Sequence, residues 1–185
     1  MSNGDERSEQ RCSNPMKTLC KDTHSWNSTI ALEDTYPIRR FVLYPDGPDY
    51  KIHIPNDFAG THLGAFMSPR TSDSSCLAAV ISIFREDLPP EVRDSDHLFG
   101  VTPAKALRFR KFACLGDHQG RGIGSRLFES ALDIARTEPD LGPGAVVWCD
   151  ARWETRQWYM RRGMVVLGNT FRKGDIEYVV MAIRI

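Results

Sequence analysis

A short stretch with glycine at alternate positions is the part of the chain that could do the most specific chemistry. It covers residues 119–124, Gln-Gly-Arg-Gly-Ile-Gly, between an apolar strand candidate and an amphipathic helix candidate. The first N–H groups of a helix have no partner within the helix and can bind an anion. Glycines let the backbone approach a phosphate closely and adopt positive φ values, and Arg121 can add a charged contact. The stretch therefore predicts a phosphate-binding loop.

Two better-known phosphate motifs do not fit this spacing. A dinucleotide fingerprint requires a third glycine three residues after its second, and Ser125 stands at that place. A P-loop requires Gly-Lys-Ser/Thr after four spacer residues, and the chain contains no such triplet. A glycine-rich turn that only permits tight packing of a helix on a strand is the remaining alternative.

The loop also resembles a family signature. Gln119, Gly122 and Gly124 match the pyrophosphate-binding pattern of the GNAT superfamily of N-acetyltransferases, Gln/Arg-x-x-Gly-x-Gly/Ala. Residues 112–114, Phe-Ala-Cys, stand where the family's fourth strand commonly has Leu-Ala-Val. Residues 151–164 resemble the family's Ala-Arg…Phe-Tyr-x-Arg-x-Gly-Phe segment, and the similarity spans about Tyr36 to Ile185.

The resemblance implies a mixed α/β (α+β) fold, with a central mixed β-sheet, flanking helices and two central strands that splay apart. The pantetheine of acetyl-CoA would lie between those strands, against the backbone of Phe112 and Cys114. Residues 118–124 would hold the diphosphate. Acetyl-CoA is a co-substrate in this scheme, and no metal is required. The resemblance assigns the acetyl-CoA contacts to Phe112, Ala113, Cys114, His118, Gln119, Gly120, Arg121, Gly122, Ile123 and Gly124.

Tyr159 matches the family's tyrosine whose phenol often protonates the departing CoA thiolate. A phenol with a pKa of about 10 can give a proton to a thiolate whose acid has a pKa of about 8.5 at modest cost. The alternative is a packing aromatic with a hydrogen-bonded hydroxyl. Direct attack by an amine needs no enzyme nucleophile, so Cys114 and Cys149 are interpreted as core thiols.

The general base is where the chain departs from many family members, which carry Glu or His on the fourth strand. Arg108 and Arg110 occupy that stretch here, and arginine cannot accept a proton at neutral pH. Because residues i and i+2 of a strand share a face, the two arginines predict an acceptor with an anionic group near its amine. Bracing of the strand is the alternative. The base stays unassigned, and water is the expected route, ordered by His97, Glu91, Asp150 or Glu154.

Composition excludes several other classes of protein. The 185 residues fit one domain, and 41% are apolar, which is enough for a buried core. Lys plus Arg and Asp plus Glu number 24 each, so the chain lacks the net positive charge that binds nucleic acid or an anionic membrane. Five cysteines without CxxC and five histidines without HxxxH or HxH predict no metal site. The absence of a long apolar run predicts an intracellular, cytoplasmic protein.

The motifs need a scaffold, and periodicity predicts one. Residues 1–30 are predicted to be a flexible tail, and residues 31–185 a single domain. The predicted strands are Tyr36–Leu43, Thr61–Met67, Cys76–Arg85, Ala106–Leu115, Ala145–Asp150, Met164–Gly168 and Ile176–Ile185. The first of these has a short helical start as an alternative. The predicted helices are Ser125–Arg136 and Trp153–Arg162.

The leading hypothesis is an N-acetyltransferase that transfers an acetyl group from acetyl-CoA to a primary amine of a small molecule by direct attack. The neutral domain lacks an acidic or basic track for a peptide, which favours the small acceptor. A protein or peptide N-acetyltransferase is one alternative, and a non-catalytic acyl-CoA-binding module is another. The expected partner is the small-molecule amine, with no nucleic acid and no membrane, and a homodimer stays open.

Overall fold

One mixed β-sheet of seven strands organises the protein. The computed structural model describes residues 23–69, 75–93, 105–142 and 144–185. The strands lie side by side in the order β1-β2-β3-β4-β5-β7-β6. β4 and β5 are parallel, and the other neighbouring pairs are antiparallel. The strands are β1 (Thr23–Thr29), β2 (Thr61–Pro69), β3 (Cys76–Arg85), β4 (Ala106–Cys114), β5 (Val146–Arg152), β6 (Val165–Lys173) and β7 (Ile176–Arg184).

Helices cover both faces of the sheet. The helices are α1 (Leu32–Ile38), α2 (Pro90–Arg93), α3 (Ile123–Thr137) and α4 (Arg156–Met160). Successive side chains of β3 point to opposite faces, as in any strand. Ile81 lies in the core with Leu127 of α3, whereas its neighbour Val80 packs with Ile38 of α1. The predicted class, a mixed sheet with flanking helices, is confirmed.

The helix after the glycine loop forms as its apolar period predicts. The buried residues of α3 recur at i, i+3 and i+4, so they form one stripe against the sheet. They are Ile123, Leu127, Phe128, Ala131, Leu132 and Ala135. None of the helices within the described ranges is both long and apolar enough to cross a membrane.

The two central strands separate along their length. Parallel pairing of β4 with β5 covers three successive pairs, Ala106 with Val146, Leu107 with Val147 and Arg108 with Trp148. Beyond Arg108 no pairing joins the two strands, although β4 continues to Cys114 and β5 to Arg152. An opening therefore lies between them, with unpaired backbone groups on its β4 side. This is the splayed arrangement that the family resemblance implied.

A bulge interrupts β4 beside this opening. Ser82 of β3 pairs with Arg110, but Val80, two residues earlier, pairs with Ala113. β4 therefore contains one residue more than β3 over this interval, which is the definition of a β-bulge. Lys111 lies within it and has φ of +52°, a left-handed conformation that is uncommon for a residue other than glycine.

The tail prediction was wrong for residues 23–29, which form β1 instead. β1 pairs antiparallel with β2 along its whole length. The ring of Trp26 stacks on Phe66 at 5.6 Å, and the amide of Asn27 donates to Arg126 O and Ser130 Oγ on α3. Because every residue of β1 except Trp26 is polar, the strand gives no alternating apolar pattern, and composition alone suggests a tail. Residues 1–22 lie outside the described residues.

The prediction of an opening strand over Tyr36–Leu43 was also wrong. The segment forms the end of α1 and a π-helical turn at Arg39–Leu43. Its buried residues, Thr35, Ile38 and Arg39, have the helical spacing i, i+3 and i+4. One of the three is a buried arginine, so a pattern of apolar residues does not show the period. The β-branched and aromatic residues around it suggest a strand, and tertiary packing overrides that preference.

The other predicted elements are confirmed, with ends that differ by at most five residues. The predicted hairpin forms as β2 and β3. A 3₁₀ turn at Trp153–Thr155 precedes α4, which ends at Met160. Gly163, three residues later, has φ of +84°. The largest extension is in β6, which continues to Lys173. The turn at residues 70–74 and most of the polar segment after β3, residues 94–104, lie outside the described residues.

Candidate active site

Two cavities meet at the opening between β4 and β5. The first, of about 620 Å³, lies between the glycine loop and α4, and we call it the loop cavity. The second, of about 540 Å³, lies between β4, β5 and the segment after α1, and we call it the charged cavity. Six residues line both cavities: Phe112, Ala113, Cys114, Gln119, Thr155 and Tyr159.

The glycine loop has the conformation that its glycines permit. Gly120 has φ of +71° and Gly122 has φ of +77°, both in the left-handed region that favours glycine. Gly122 is the N-cap of α3, and no side chain caps the helix there. The Nε2 of Gln119 donates to the carbonyl oxygen of Cys114 at 2.9 Å, which attaches the loop to the end of β4. The uncapped N–H groups of the first turn of α3 are thus presented at the loop cavity.

These features fit a phosphate-bearing ligand. The N-terminus of a 15-residue helix carries a partial positive charge, and the absence of Cβ atoms at Gly120 and Gly122 leaves the backbone accessible. His118 also lines the cavity, and its buried Nδ1 has no hydrogen-bond partner among the described residues. Burial and the nearby charge of Arg121 lower the pKa of His118, against the opposing effect of Asp117. A polar ligand could therefore satisfy an imidazole that the protein leaves without a partner.

Nine of the ten residues assigned to acetyl-CoA by the resemblance line the loop cavity. These nine are Phe112, Ala113, Cys114, His118, Gln119, Gly120, Gly122, Ile123 and Gly124. Arg121 is half-buried and lies next to this lining without being part of it. α4 supplies the opposite wall, where the guanidinium of Arg162 stacks on Trp158 at 3.5 Å and donates to Ser125 Oγ. Arg162 therefore connects α4 to the start of α3.

Tyr159 stands at the boundary of the two cavities. Its ring packs against Phe109, Phe128 and Trp158, with centroid distances of 5.9, 6.3 and 5.0 Å. Burial raises the pKa of Tyr159 well above its usual value, and the neighbouring Cys149 adds to this rise, while Arg162 opposes it. The hydroxyl makes no hydrogen bond to another described residue. Tyr159 is therefore a neutral phenol at physiological pH, available to donate its proton into either cavity.

The two cysteines near the site have the properties of core thiols. Burial raises the pKa of Cys114, and burial raises that of the fully enclosed Cys149 well above its usual value. A thiol is nucleophilic as the thiolate, which a raised pKa disfavours. Neither cysteine is therefore prepared for nucleophilic attack.

Arg108 and Arg110 line the charged cavity together, because the bulge begins only after Arg110. Arg108 forms ion pairs with Glu86 and Asp150, and its guanidinium lies over the Trp148 ring at 4.4 Å. Its side chain is 11% exposed, so its charge is already compensated within the protein. The structure gives Arg108 the bracing role that was the alternative interpretation.

Arg110 is less constrained than Arg108. Its side chain is 31% exposed, and its nearest ion-pair contact is Glu86 Oε2 at 3.5 Å. Burial and the adjacent charge of Arg108 lower the pKa of Arg110 from its usual value, which still leaves a cation at neutral pH. Of the two arginines, Arg110 is the one that could contact a ligand in the charged cavity.

Sequence reasoning missed Lys111. Its Nζ donates to the Tyr44 hydroxyl at 2.8 Å and to the carbonyl oxygen of Lys51, and it lies 4.4 Å from the centroid of the Tyr44 ring. Both Lys111 and Tyr44 line the charged cavity. A lysine in a strand of alternating residues gives no signal of this position, since the bulge that directs it is a property of the paired strands.

The acidic residues suggested for ordering a water lie in different places. Asp150 lines the charged cavity, where Arg108 and Lys173 both bond to it. Glu154 lines the loop cavity, on the side of α4. Glu91, on α2, lines a further cavity that it shares with Asp150. His97 lies outside the described residues.

The chain is similar in sequence or fold to several known proteins. No protein-family model matches the chain. The uncharacterized N-acetyltransferase YitI of Bacillus subtilis is 29% identical over 147 residues, which cover 77% of this chain and 84% of that protein. Arabidopsis thaliana NAA60 in complex with acetyl-CoA matches with a TM-score of 0.64 at 14% identity, over 88% of this chain and 99% of that chain. FeeM, an N-acyl amino acid synthase from uncultured soil microbes, matches with a TM-score of 0.60 at 16% identity, over 88% of this chain and 92% of that chain.

Proposed function

We propose that the chain is an acyltransferase of the GNAT superfamily and that it transfers an acetyl group from acetyl-CoA to the primary amine of a small molecule. The observation that carries this proposal is the meeting of the loop cavity and the charged cavity beside Tyr159. One cavity has the features of a phosphate site, and the other has charged walls that suit a polar acceptor. The opening between β4 and β5 is where the two ligands would meet.

The loop cavity would hold acetyl-CoA. Bound there, acetyl-CoA supplies an activated acetyl group and a thiolate leaving group. Gly120, Gly122 and the first turn of α3 offer backbone N–H groups to the diphosphate. The unpaired edge of β4 at residues 112–114 offers backbone groups to the pantetheine. Backbone N–H groups of this strand would also polarise the acyl carbonyl, as an oxyanion hole does through fixed dipoles.

Direct attack by the amine is the mechanism that these residues favour. The raised pKa values of Cys114 and Cys149 disfavour an acyl-cysteine intermediate. Tyr159 would act as general acid, because its phenol is neutral, borders both cavities and has no other described partner for its proton.

We further propose that the acceptor carries an anionic group near its amine. The charged cavity is lined by five cationic side chains, Arg108, Arg110, Lys111, Arg152 and Lys173, and by the carboxylate of Asp150. Arg108 and Lys173 are paired with Asp150, which leaves Arg110 and Arg152 as the arginines available for a carboxylate. Such a cavity would repel a bare polyamine.

The amine screen that tests this proposal measures release of CoA thiol from acetyl-CoA, with mass-spectrometric identification of the product. The library contains amines with and without a carboxylate, polyamines, and peptides with a free N-terminus or lysine. Acetylation of small carboxylate-bearing amines is the expected result. Preferred acetylation of peptides would replace the proposal by the protein acetyltransferase alternative. Tight CoA binding without acceptor-dependent release would favour a non-catalytic acyl-CoA-binding module.

A further inference from the structure

The bulge in β4 places the side chain of Lys111 in the charged cavity. Phe112, the next residue, packs against the core cluster, with its ring 6.3 Å from Phe109 and 5.5 Å from Trp158. Lys111 instead reaches Tyr44 and Lys51 of the segment after α1. It does so with a positive φ, a backbone conformation that persists where the surrounding structure enforces it and that is concentrated at functional sites.

The hydrogen bonds of Nζ leave one position of the nitrogen open, as the neutral form of the amine requires for its lone pair. A neutral lysine amine has two N–H groups and one lone pair. The Tyr44 hydroxyl, at 2.8 Å, and the Lys51 carbonyl oxygen accept two N–H groups. No further partner of Nζ occurs among the described residues. The two N–H groups are thus used, and the remaining position of the nitrogen, which holds the lone pair in the neutral form, is left for the cavity.

The charges around Lys111 also favour its neutral form. The pKa of Lys111 is lowered to about 8. Burial is the largest cause, the cations Arg39, Arg110 and Lys173 act in the same direction, and Asp57 opposes them. These charges come from the segment after α1, from β4, from β6 and from the turn before β2. The Tyr44 ring stabilises the protonated form from one side. A base of this strength is neutral in about a tenth of molecules at pH 7 and about half at pH 8.

We propose that Lys111 is the general base, which takes a proton from the acceptor's ammonium group in the charged cavity. This inference rests on the proposed function. The other described residues lining this cavity are less suitable, because Asp150 is held by Arg108 and Lys173, and arginine cannot accept a proton.

The protons balance with Tyr159 in its proposed role. An acceptor that arrives as an ammonium ion loses two protons when it becomes an amide. The Nζ of Lys111 takes the first, which frees the lone pair of the acceptor nitrogen to form the new C–N bond. As the C–S bond breaks, the thiolate takes a proton from Tyr159. The second proton of the nitrogen restores the Tyr159 hydroxyl, through water if the two are not in contact, and Lys111 returns its proton to solvent.

Two substitutions separate a base from a cation that only binds or braces. Lys111→Arg keeps the charge and the donors but cannot accept a proton, and Lys111→Met keeps much of the side-chain volume without either. If Lys111 is the base, both variants lose about 10²-fold or more in kcat/KM, and acetyl-CoA affinity stays within a few-fold. The wild-type rate rises with pH up to about 8, and the variants lose that dependence. Lys105→Arg and Lys105→Met, at an exposed lysine just before β4, serve as controls with unchanged rates. Near wild-type kcat in Lys111→Arg overturns the proposal.

A titration of the lysine side chains by NMR tests Lys111 without any acceptor. The Lys111 signal is assigned by its loss in Lys111→Arg, and the expected midpoint is about pH 8. A midpoint above about 10, the ordinary range for lysine, overturns the proposal whatever the activity. If no amine in the screen is acetylated, the proposed function fails separately, and the titration still decides whether Lys111 is basic enough in its neutral form to take a proton near pH 8.

Discussion

The loop cavity and the charged cavity share β4 but are built in different ways. Most of the loop cavity comes from one continuous stretch, residues 112–125, and its binding groups are backbone N–H groups presented by glycines and a helix start. The charged cavity comes from side chains of β4, β5, β6, β7 and the segment after α1. A backbone site requires particular residues at fixed local spacing, whereas a side-chain site can be assembled from any segments that the fold brings together.

The two cavities also differ in how their charges are compensated. In the charged cavity Arg108 and Lys173 share the carboxylate of Asp150, so part of its positive charge is compensated within the protein. In the loop cavity the helix start is uncapped and the imidazole of His118 lacks a described partner. We therefore expect the loop cavity to bind its ligand strongly and the charged cavity to select among acceptors. Four substitution experiments test this contrast.

The largest effect is expected at Tyr159, one of the six residues that line both cavities. In Tyr159→Phe we expect kcat to fall about 10²-fold, because the leaving thiolate loses its positioned proton donor. Acetyl-CoA affinity should change by no more than a few-fold, because the proton moves in the transition state. Thiol release under conditions where chemistry limits the rate is the measurement, with the exposed Tyr50→Phe as control. Wild-type turnover in Tyr159→Phe would mean that the hydroxyl is structural and that water protonates the thiolate.

The next largest effect is expected in the loop cavity. Gly122→Val forces a β-branched residue into φ of +77° and places a side chain at the phosphate site. CoA affinity measured by calorimetry should fall at least tenfold, about 1.4 kcal/mol, while pantetheine, which has no phosphate, should bind almost as before.

Gly142→Val is the matched control for this experiment. Gly142 has φ of +69°, and no described atom lies within 4 Å of the position that a Cβ would take there. It lies after α3 and lines neither cavity. Its variant should show comparable backbone strain without loss of CoA affinity. Equal losses in the two variants, or unchanged CoA binding in a folded Gly122→Val protein, would remove the phosphate assignment.

A smaller effect should distinguish the two arginines of the charged cavity. In Arg110→Gln we expect the KM of a carboxylate-bearing acceptor to rise about five- to tenfold, with little change for an acceptor that lacks the carboxylate. Arg108→Gln leaves Glu86 and Asp150 without their shared partner, so it should lower the free energy of unfolding by about 1–3 kcal/mol. Steady-state kinetics and denaturant unfolding measure the two outcomes. A preference of the wild type for polyamines, or exchanged effects of the two substitutions, would contradict these roles.

The smallest effect concerns the buried network behind the charged cavity. Ser82, the register partner of Arg110, accepts from Arg39 and bonds to His62 Nδ1 at 2.8 Å, and His62 Nε2 donates to Asp57 O at 3.1 Å. Burial, followed by the charge of Arg39, lowers the pKa of His62 below its usual 6.5. The imidazole of His62 therefore binds a proton more readily in the unfolded chain than in the folded protein.

Stability should consequently be lost as the pH falls below about 6.5. The contribution of one such histidine to the slope is at most about 1.4 kcal/mol per pH unit. In His62→Gln, which can keep both hydrogen bonds, the slope between pH 6.5 and 5 should be shallower. Thermal unfolding at several pH values measures it. An equal or steeper slope in the variant would show that His62 does not supply this acid sensitivity.

Local pattern was enough to predict the glycine loop and the helix that border the loop cavity. Gln119, Gly122 and Gly124 lie within six residues, and the apolar period of α3 follows directly. Both properties depend on neighbours along the chain, since φ values and helical faces are set within a few residues. The family resemblance, carried by a second local segment, singled out Tyr159, which lines the loop cavity.

The acceptor side was decided by the tertiary structure. Pairing of β3 with β4 creates the bulge that directs Lys111, and packing buries Arg39 in a helical turn where propensity favoured a strand. The compensation of Arg108 depends on Glu86 and Asp150, which are 22 and 42 residues away in the chain. Contacts between distant segments produce no periodic pattern in a single sequence. The role of each polar or charged residue depends on a partner that the fold brings next to it.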